Sequence, residues 1–345
     1  MVENKVIKFA VVGCGHIGKR HAEMVLGNPN AKLVALCDVA SKETLGIEKY
    51  DVPFYSSIED LMDAKLDIDV VNICTPNGLH SDQASLALDN DYHIVVEKPI
   101  GLSKAKCEQV IFKALRNHKQ VFAVMQNRYS PPSVWIKDLV ENKVLGDIFM
   151  VQLNCYWNRD SRYYKAGGWK GTQDLDGGTL FTQFSHFIDI MYWLFGDITN
   201  IQGKFKDFTH QNSTEFEDSG FVSFDFVEGG MGSLNYSTAV ATQNLESSIT
   251  VIGEKGSVKI GGQYMNEVEV CNIDGYEMPE LEAANPPNDY GPYKGSAANH
   301  HYIIENVVDT LNGKTTATTN ALEGLKVVEI IEKIYELREN SVLKK

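Results

Sequence analysis

One turn constrains this chain more than any other feature. Residues 6–21 read "VIKFAVVGCGHIGKRH", an apolar run that ends on Gly13, Gly15 and Gly18 in G-x-G-x-x-G order. The apolar run predicts a buried strand over 6–12, and the pattern from about Ile17 to Leu26 predicts a helix. The glycines therefore sit on a strand-to-helix turn. A second apolar run, "KLVALCD", ends on Asp38, 20 residues past Gly18. Each residue type has a physical use there. Gly13 permits the tight turn, Gly15 lets a pyrophosphate touch the backbone, and Gly18 lets helix pack on strand. The helix entrance, with His16 and Ile17, offers unpaired N–H groups and the positive end of a dipole. Asp38 accepts both hydroxyls of an adenosine ribose and repels a 2′-phosphate. The expected cofactor is NAD, in preference to NADP. The competing reading is a glycine turn without a ligand; the strand, helix and acid around it weigh against that.

Short apolar strands and helices then alternate: "IDVVNICTP" at 68–76, a helix near 81–90, "YHIVVEKP" at 92–99 and "QVFAVMQNR" at 120–128. This alternation predicts a parallel sheet covered on both faces. Ligands of such sheets sit at the C-terminal ends of the strands. The residues that end these runs are accordingly candidate cofactor contacts: Thr75, Pro76, Asn77, His80, Glu97, Lys98 and Gln126. "CTPNGLH" is equally compatible with a plain turn, since Pro and Asn-Gly favour turns by themselves.

The texture changes after about residue 125. A helix near 131–143 precedes the long strand pattern "DIFMVQLNCYWN", and much of 199–273 alternates apolar and polar residues. An antiparallel sheet with one face packed on helices is expected. Helices are expected at 299–311 and 321–338. The expected fold class is α/β, with a Rossmann dinucleotide-binding domain over 1–125 and a second, substrate-binding domain over 126–345.

Composition excludes some functions. A formal net charge of −14 does not suit wrapping of nucleic acid. No apolar run is long enough to span a bilayer, and no oily signal segment opens the chain. A cytoplasmic protein without a membrane partner is expected. The six cysteines form no CxxC pair and read as buried free thiols, not as metal ligands; no metal is expected.

"GCGHIGKRH", "CTPNGLH", "EKPIGLS" and "GGTLFTQFSHFID" occur in that order along the chain. Together they resemble the Gfo/Idh/MocA oxidoreductases, the glucose–fructose oxidoreductase and inositol dehydrogenase family. Glu97-Lys98-Pro99 is the most specific of these signatures, and the resemblance covers nearly the whole chain. It implies a Rossmann domain plus an α/β domain with a large, mostly antiparallel open sheet that often builds dimers or tetramers. "NCYWNRDSRYYKAGGWKGTQDLDGGTLFTQFSHFID" and "GSAANHHYIIENVVDTLNGK" are similar, more narrowly, to the sugar-nucleotide branch. That branch contains UDP-N-acetylglucosaminuronate 3-dehydrogenases of surface-polysaccharide synthesis.

Thr182, His186, Asp189 and Trp193 fall at helical spacing, and Leu180, Phe184, Phe187, Met191 and Leu194 take the opposite side. The polar stripe fits open water or a lined cleft; it carries no Lys or Glu, which favours the cleft. A histidine suits the base that alcohol oxidation needs, because its ordinary pKa is close to working pH. The resemblance implies His186 as that base and Lys98 as the cation that stabilises the alkoxide. Spacing suggests Asp189 as a group that orients the ring. Many relatives carry Asp where this chain has Thr182, and that departure argues against a plain inositol dehydrogenase.

The segment 157–170 holds Arg159, Arg162, Lys165 and Lys170 against one Asp, with Tyr163, Tyr164 and Trp169 between them. It reads either as a solvated loop or as an anion site with stacking surfaces. The candidate substrate contacts are Lys98, Arg128, Asn158, Arg159, Tyr163, Thr182, Gln183 and His186. His300 and His301 open a helix and read as a surface turn or as neighbours of the substrate. The expected activity is oxidation of a UDP-linked N-acetylated uronic acid at its 3-hydroxyl. The alternatives are a dehydrogenase of a free sugar or cyclitol, and an NAD-bound sensor without catalysis.

Overall fold

The computed structural model describes residues 5–342, and the statements below concern those residues. The first half alternates strands and helices: β1 (Ile7–Val12), α1 (His16–Gly27), β2 (Ala31–Cys37), α2 (Lys42–Leu45), β3 (Phe54–Tyr55), α3 (Ile58–Asp63), β4 (Val70–Ile73), α4 (His80–Asp89), β5 (His93–Val96), α5 (Lys104–Arg116) and β6 (Val121–Ala123). The strands form one parallel sheet in the order β3-β2-β1-β4-β5-β6. Phe9, Ala10, Val11, Val70, Val71, Ile94 and Val95 are fully buried. Both faces of the sheet are covered, which is why these strands read as unbroken apolar runs. The strand order changes direction between β1 and β4, so the glycine turn after β1 and the "CTP" turn after β4 leave the sheet side by side.

The second half comprises α6 (Pro131–Glu141), β7 (Ile148–Tyr156), α7 (Ser185–Phe195), β8 (Ile198–Lys206), β9 (Ser219–Phe226), β10 (Met231–Ser237), β11 (Glu246–Gly253), β12 (Gly256–Gly261), β13 (Glu267–Ile273), β14 (Pro287–Asp289), β15 (Lys294–Ala297), α8 (His300–Leu311) and α9 (Ala321–Val342). Its large sheet runs β13-β12-β11-β7-β10-β9-β8. It is antiparallel except where β10 lies parallel to β7. Strand periodicity predicts alternation but is blind to direction, so that parallel pair is not legible in the chain. Val151, Leu153 and Cys155 of β7 point inward, and Trp157, Phe184 and Phe187 meet edge to face beside them. On the other face Met150 lies laterally between Ile252 and Met231, and all three are exposed.

Packing divides the chain into two compact units, Met1–Val124 with His300–Val328, and Met125–Asn299 with Glu329–Lys345. A single cut at residue 125 does not express the return of α8 and the start of α9 to the first unit. That return is held by Thr319, whose carbonyl accepts the Ala123 N–H at 3.1 Å and whose hydroxyl bonds the Ala123 carbonyl. No helix among the described residues is long and apolar enough to cross a membrane. Among the described residues no disulfide joins the six cysteines, and burial pushes the Cys14 and Cys37 thiols up to about 12.

Candidate active site

In the first unit, the turn after β1 is built around close approach. Gly13 has φ +85°, and a Cβ there would lie 2.7 Å from the Cys74 carbonyl carbon. A Cβ on Gly18 would lie 1.8 Å from the Gly13 oxygen, so only glycine allows α1 to start here. A Cβ on Gly15, by contrast, would meet nothing within 4 Å. The space in front of Gly15 is open, and Gly15 and His16 are exposed while Ile17 is half-buried. Helix α1 has no side-chain cap and no acid in its first turn. Asp38 is half-buried; its carboxylate accepts the Cys14 N–H at 2.6 Å and the Ala40 N–H at 2.9 Å. Those two bonds aim the carboxylate and leave each oxygen a further lone pair.

The loops after β4 and β5 are tied together by His80, which is buried. Its Nδ1 lies 2.7 Å from the Pro99 carbonyl oxygen and its Nε2 2.7 Å from the Thr75 oxygen. Burial pulls the imidazole down and the two carbonyls pull it back up. Thr75 donates its hydroxyl to Gln83, Pro76 and Lys98 are half-buried, and Asn77 is buried.

Glu97, expected as a cofactor contact, has its carboxylate enclosed within the first unit. It is 6% exposed, and its carboxylate is held by two histidines, His21 at 3.0 Å and His300 at 3.3 Å. Asn72 donates to His21 Nδ1 at 3.0 Å, which leaves the His21 proton on Nε2, facing Glu97. Burial alone would raise the Glu97 carboxyl; the bonds from His21 and His300 outweigh it and hold it well below the usual range. His300 is thus not a surface residue, whereas His301 is exposed. The donor atoms of His21, Glu97 and His300 lie within 4.8 Å of one another, a set of the type that can hold a divalent ion. The imidazole-to-carboxylate contacts account for the carboxylate without one. A second such set, Asp207, His210 and Asp218, is a turn: Asp218 accepts the N–H groups of Phe208 and Thr209. Sequence reasoning missed both clusters: the members of the first come from distant segments, and those of the second are brought together by a turn within 12 residues of chain.

In the second unit, the histidine helix is not one regular α-helix. Gly177 and Gly178, at φ +84° and +133°, lead into a π-helical turn over Leu180–Phe184, and α7 follows. A Cβ on Gly178 would lie 2.5 Å from the Tyr335 hydroxyl. That hydroxyl accepts the Leu180 N–H at 2.8 Å and donates to Glu217 at 3.0 Å. The wide turn moves Thr182 and Gln183 out of the register that uniform 3.6-residue spacing assigns. His186 is 5% exposed, so its stripe does not face water. Its Nε2 lies 3.5 Å from the Gln126 amide nitrogen, which also donates to Ser296 Oγ at 3.1 Å. Gln126, expected at the cofactor, is placed beside His186. Gln183 donates to the Tyr163 hydroxyl at 2.6 Å and accepts from Arg159 Nε at 2.7 Å. Thr182 donates to Asp176.

Two family models match the chain: an oxidoreductase family, NAD-binding Rossmann fold, over residues 7–125, and the C-terminal alpha/beta domain of the same family over 137–343. The chain belongs to the Gfo/Idh/MocA oxidoreductase family. Among solved structures it is similar to the WlbA dehydrogenase from Bordetella pertussis in complex with NADH and UDP-GlcNAcA. That likeness has 29% identity and a TM-score of 0.86, over 98% of this chain and 97% of the other. Among curated relatives it is 28% identical over 266 residues to a 2,7-anhydro-N-acetylneuraminate hydratase of Escherichia coli (75% of this chain, 68% of the relative). It is 26% identical over 282 residues to an inositol 2-dehydrogenase of Rhizobium meliloti (80% of this chain, 82% of the relative).

NAD is the cofactor of this Gfo/Idh/MocA chain, and its residues fit the dinucleotide: an open Gly15, an uncapped helix entrance and an aimed Asp38. Residues of the second unit expected at the substrate are buried and engaged within the fold. Arg128, expected as an anion ligand, is 2% exposed and binds Asp189 through two bonds, Nε to Oδ2 at 2.9 Å and NH2 to Oδ1 at 2.6 Å. It also lies 5.3 Å from the Trp193 ring. Asp189 accordingly serves Arg128, where spacing suggested the His186 ring. Asn158 is buried too: its amide donates to the Val240 carbonyl at 2.6 Å and its oxygen accepts from Arg162 at 2.9 Å.

Proposed function

We propose that the chain oxidises the 3-hydroxyl of a UDP-linked N-acetylated uronic acid with NAD, as a step in making surface-polysaccharide precursors. The observation that carries the oxidation is a histidine 5% exposed within an apolar helix, with an amide donor at its Nε2. The likeness to a WlbA dehydrogenase bound to NADH and UDP-GlcNAcA, over 98% of the chain, supports the substrate.

Bound NAD supplies the hydride acceptor. His186 takes the hydroxyl proton at Nε2. The Gln126 amide nitrogen, 3.5 Å from that atom, favours the tautomer with the ring's own proton on Nδ1, and the substrate hydroxyl takes the amide's place on the single Nε2 lone pair before the proton moves. Lys98 stabilises the alkoxide as the proton leaves. Thr182, Gln183 and Tyr163 border the sugar. The glycine turn and Asp38 hold the dinucleotide.

Asp38→Ala is expected to weaken NAD roughly tenfold to a hundredfold, the loss of hydrogen bonds to a charged group. Calorimetric titration checks this, and an unchanged NAD affinity contradicts it. The likeness to an inositol 2-dehydrogenase favours a second reading, a free cyclitol or sugar as substrate. A panel of UDP-GlcNAcA, UDP-GlcNAc and myo-inositol, each with NAD and stoichiometric protein, separates the two. The proposal expects NADH and a product lighter by two hydrogens with UDP-GlcNAcA alone; turnover of myo-inositol without that of the UDP-sugar overturns it.

A further inference from the structure

The cations of segment 157–170 do not share one fate. Arg162 is bridged to Asp160 at 2.7 Å, and Lys165 is exposed. Arg159 is 2% exposed, and all its hydrogen-bond partners are neutral: Gln183 Oε1 at 2.7 Å, the Asn158 carbonyl at 2.6 Å, Asn244 Oδ1 at 3.1 Å and the Lys294 carbonyl at 3.1 Å. Its guanidinium lies 4.6 Å from the Trp157 ring, 5.1 Å from Tyr293 and 5.2 Å from Tyr163. Lys170 is half-buried; its Nζ stands 3.9 Å from the Tyr163 ring centre and donates to the Tyr293 hydroxyl at 3.0 Å. Among the described residues, neither cation forms an ion pair with a carboxylate. The acid that acts on Lys170 is Asp176, and its carboxylate already accepts the Gly171 N–H at 2.7 Å and the Thr182 hydroxyl.

Two desolvated cations thus face one engaged carboxylate, in a chain whose net charge is −14. A buried charge without a counter-charge is costly. Ring faces return less than a carboxylate would. The strain registers on Lys170, which burial and then Arg159 pull down to about 8. An incoming anion relieves it.

We infer that Lys170, backed by Arg159 and framed by Tyr163 and Tyr293, seats an anionic group of the substrate, the carboxylate of an acidic sugar. This rests on the reading of the chain as a sugar dehydrogenase. The sugar's own acid is favoured over a distant diphosphate by position. Lys170 touches the Tyr163 ring, Tyr163 bonds Gln183, and Gln183 is three residues from His186. Arg159 is too enclosed to reach a ligand and contributes its field.

The test is calorimetric binding of UDP-GlcNAcA and UDP-GlcNAc, with a parallel arm of glucuronate and glucose, to wild type and Lys170→Met from pH about 7 to about 9. Uridine and diphosphate are common to the first pair and cancel in the ratio. A bound anion raises the Lys170 pKa, so affinity for the acid is level below its free value and falls above it. The groups facing Lys170 are Tyr163, Tyr164, Tyr293, Arg159, Lys165 and Asp176. Burial pushes the three tyrosines up, so they stay neutral across this window.

Wild type is expected to prefer the acid over the alcohol roughly tenfold. The preference should shrink toward tenfold per pH unit above about 8, and Lys170→Met should abolish both preference and slope while binding UDP-GlcNAc as wild type does. An acid preference confined to the free-sugar arm upholds the subsite and removes the nucleotide from the functional reading. A preference that survives Lys170→Met, or its absence from both arms of wild type, overturns the subsite.

Discussion

His186→Ala is expected to lower kcat by roughly 10²–10⁴-fold, the usual worth of a positioned general base. NAD affinity should stay unchanged, because the glycine turn and Asp38 belong to the other unit. The ring is buried, so part of any loss could come from disturbed packing; His186→Asn, which keeps the polar body of the side chain, controls for that. Both variants should lose turnover alike and keep their free energies of unfolding within about 1 kcal/mol of one another. Stopped-flow detection of NADH separates chemistry from product release. A His186→Ala protein with normal turnover removes the base from the account.

Arg128→Met should have the largest effect on stability. It leaves the Asp189 carboxylate, 0% exposed, without the guanidinium that binds it through two bonds. Removing one partner of a buried pair costs about 3–5 kcal/mol. The midpoint of urea unfolding reads this directly. The double variant Arg128→Met, Asp189→Leu should recover most of the loss, since two apolar groups need no counter-charge. If Arg128 instead served substrate, the single variant would unfold like wild type and fail only in KM.

The first unit was legible because its constraints are local. Gly18 is required by a contact within the turn itself, Gly13 takes the positive φ that the turn needs, and Asp38 follows at the end of the next strand. The second unit was legible in its alternation and in the presence of a polar stripe on the histidine helix. Its details depend on distant partners. The π-helical turn rests on Tyr335, 155 residues from the Leu180 it binds. In the first unit, too, the Glu97 cluster needs a distant partner, His300, brought back by a helix near the end of the chain. Arg128 and Lys170 look alike in the chain as cations near aromatics. Only burial and the position of Asp189 separate a structural cation from an available one.

The central claim is hydride removal from the sugar's third carbon with His186 as base. UDP-GlcNAcA deuterated at that carbon, incubated with stoichiometric protein and NAD, tests it in a single turnover. The account predicts that the deuterium appears in NADH and is missing from the product, with no transfer in His186→Ala. NADH that carries no deuterium while the sugar is oxidised contradicts it.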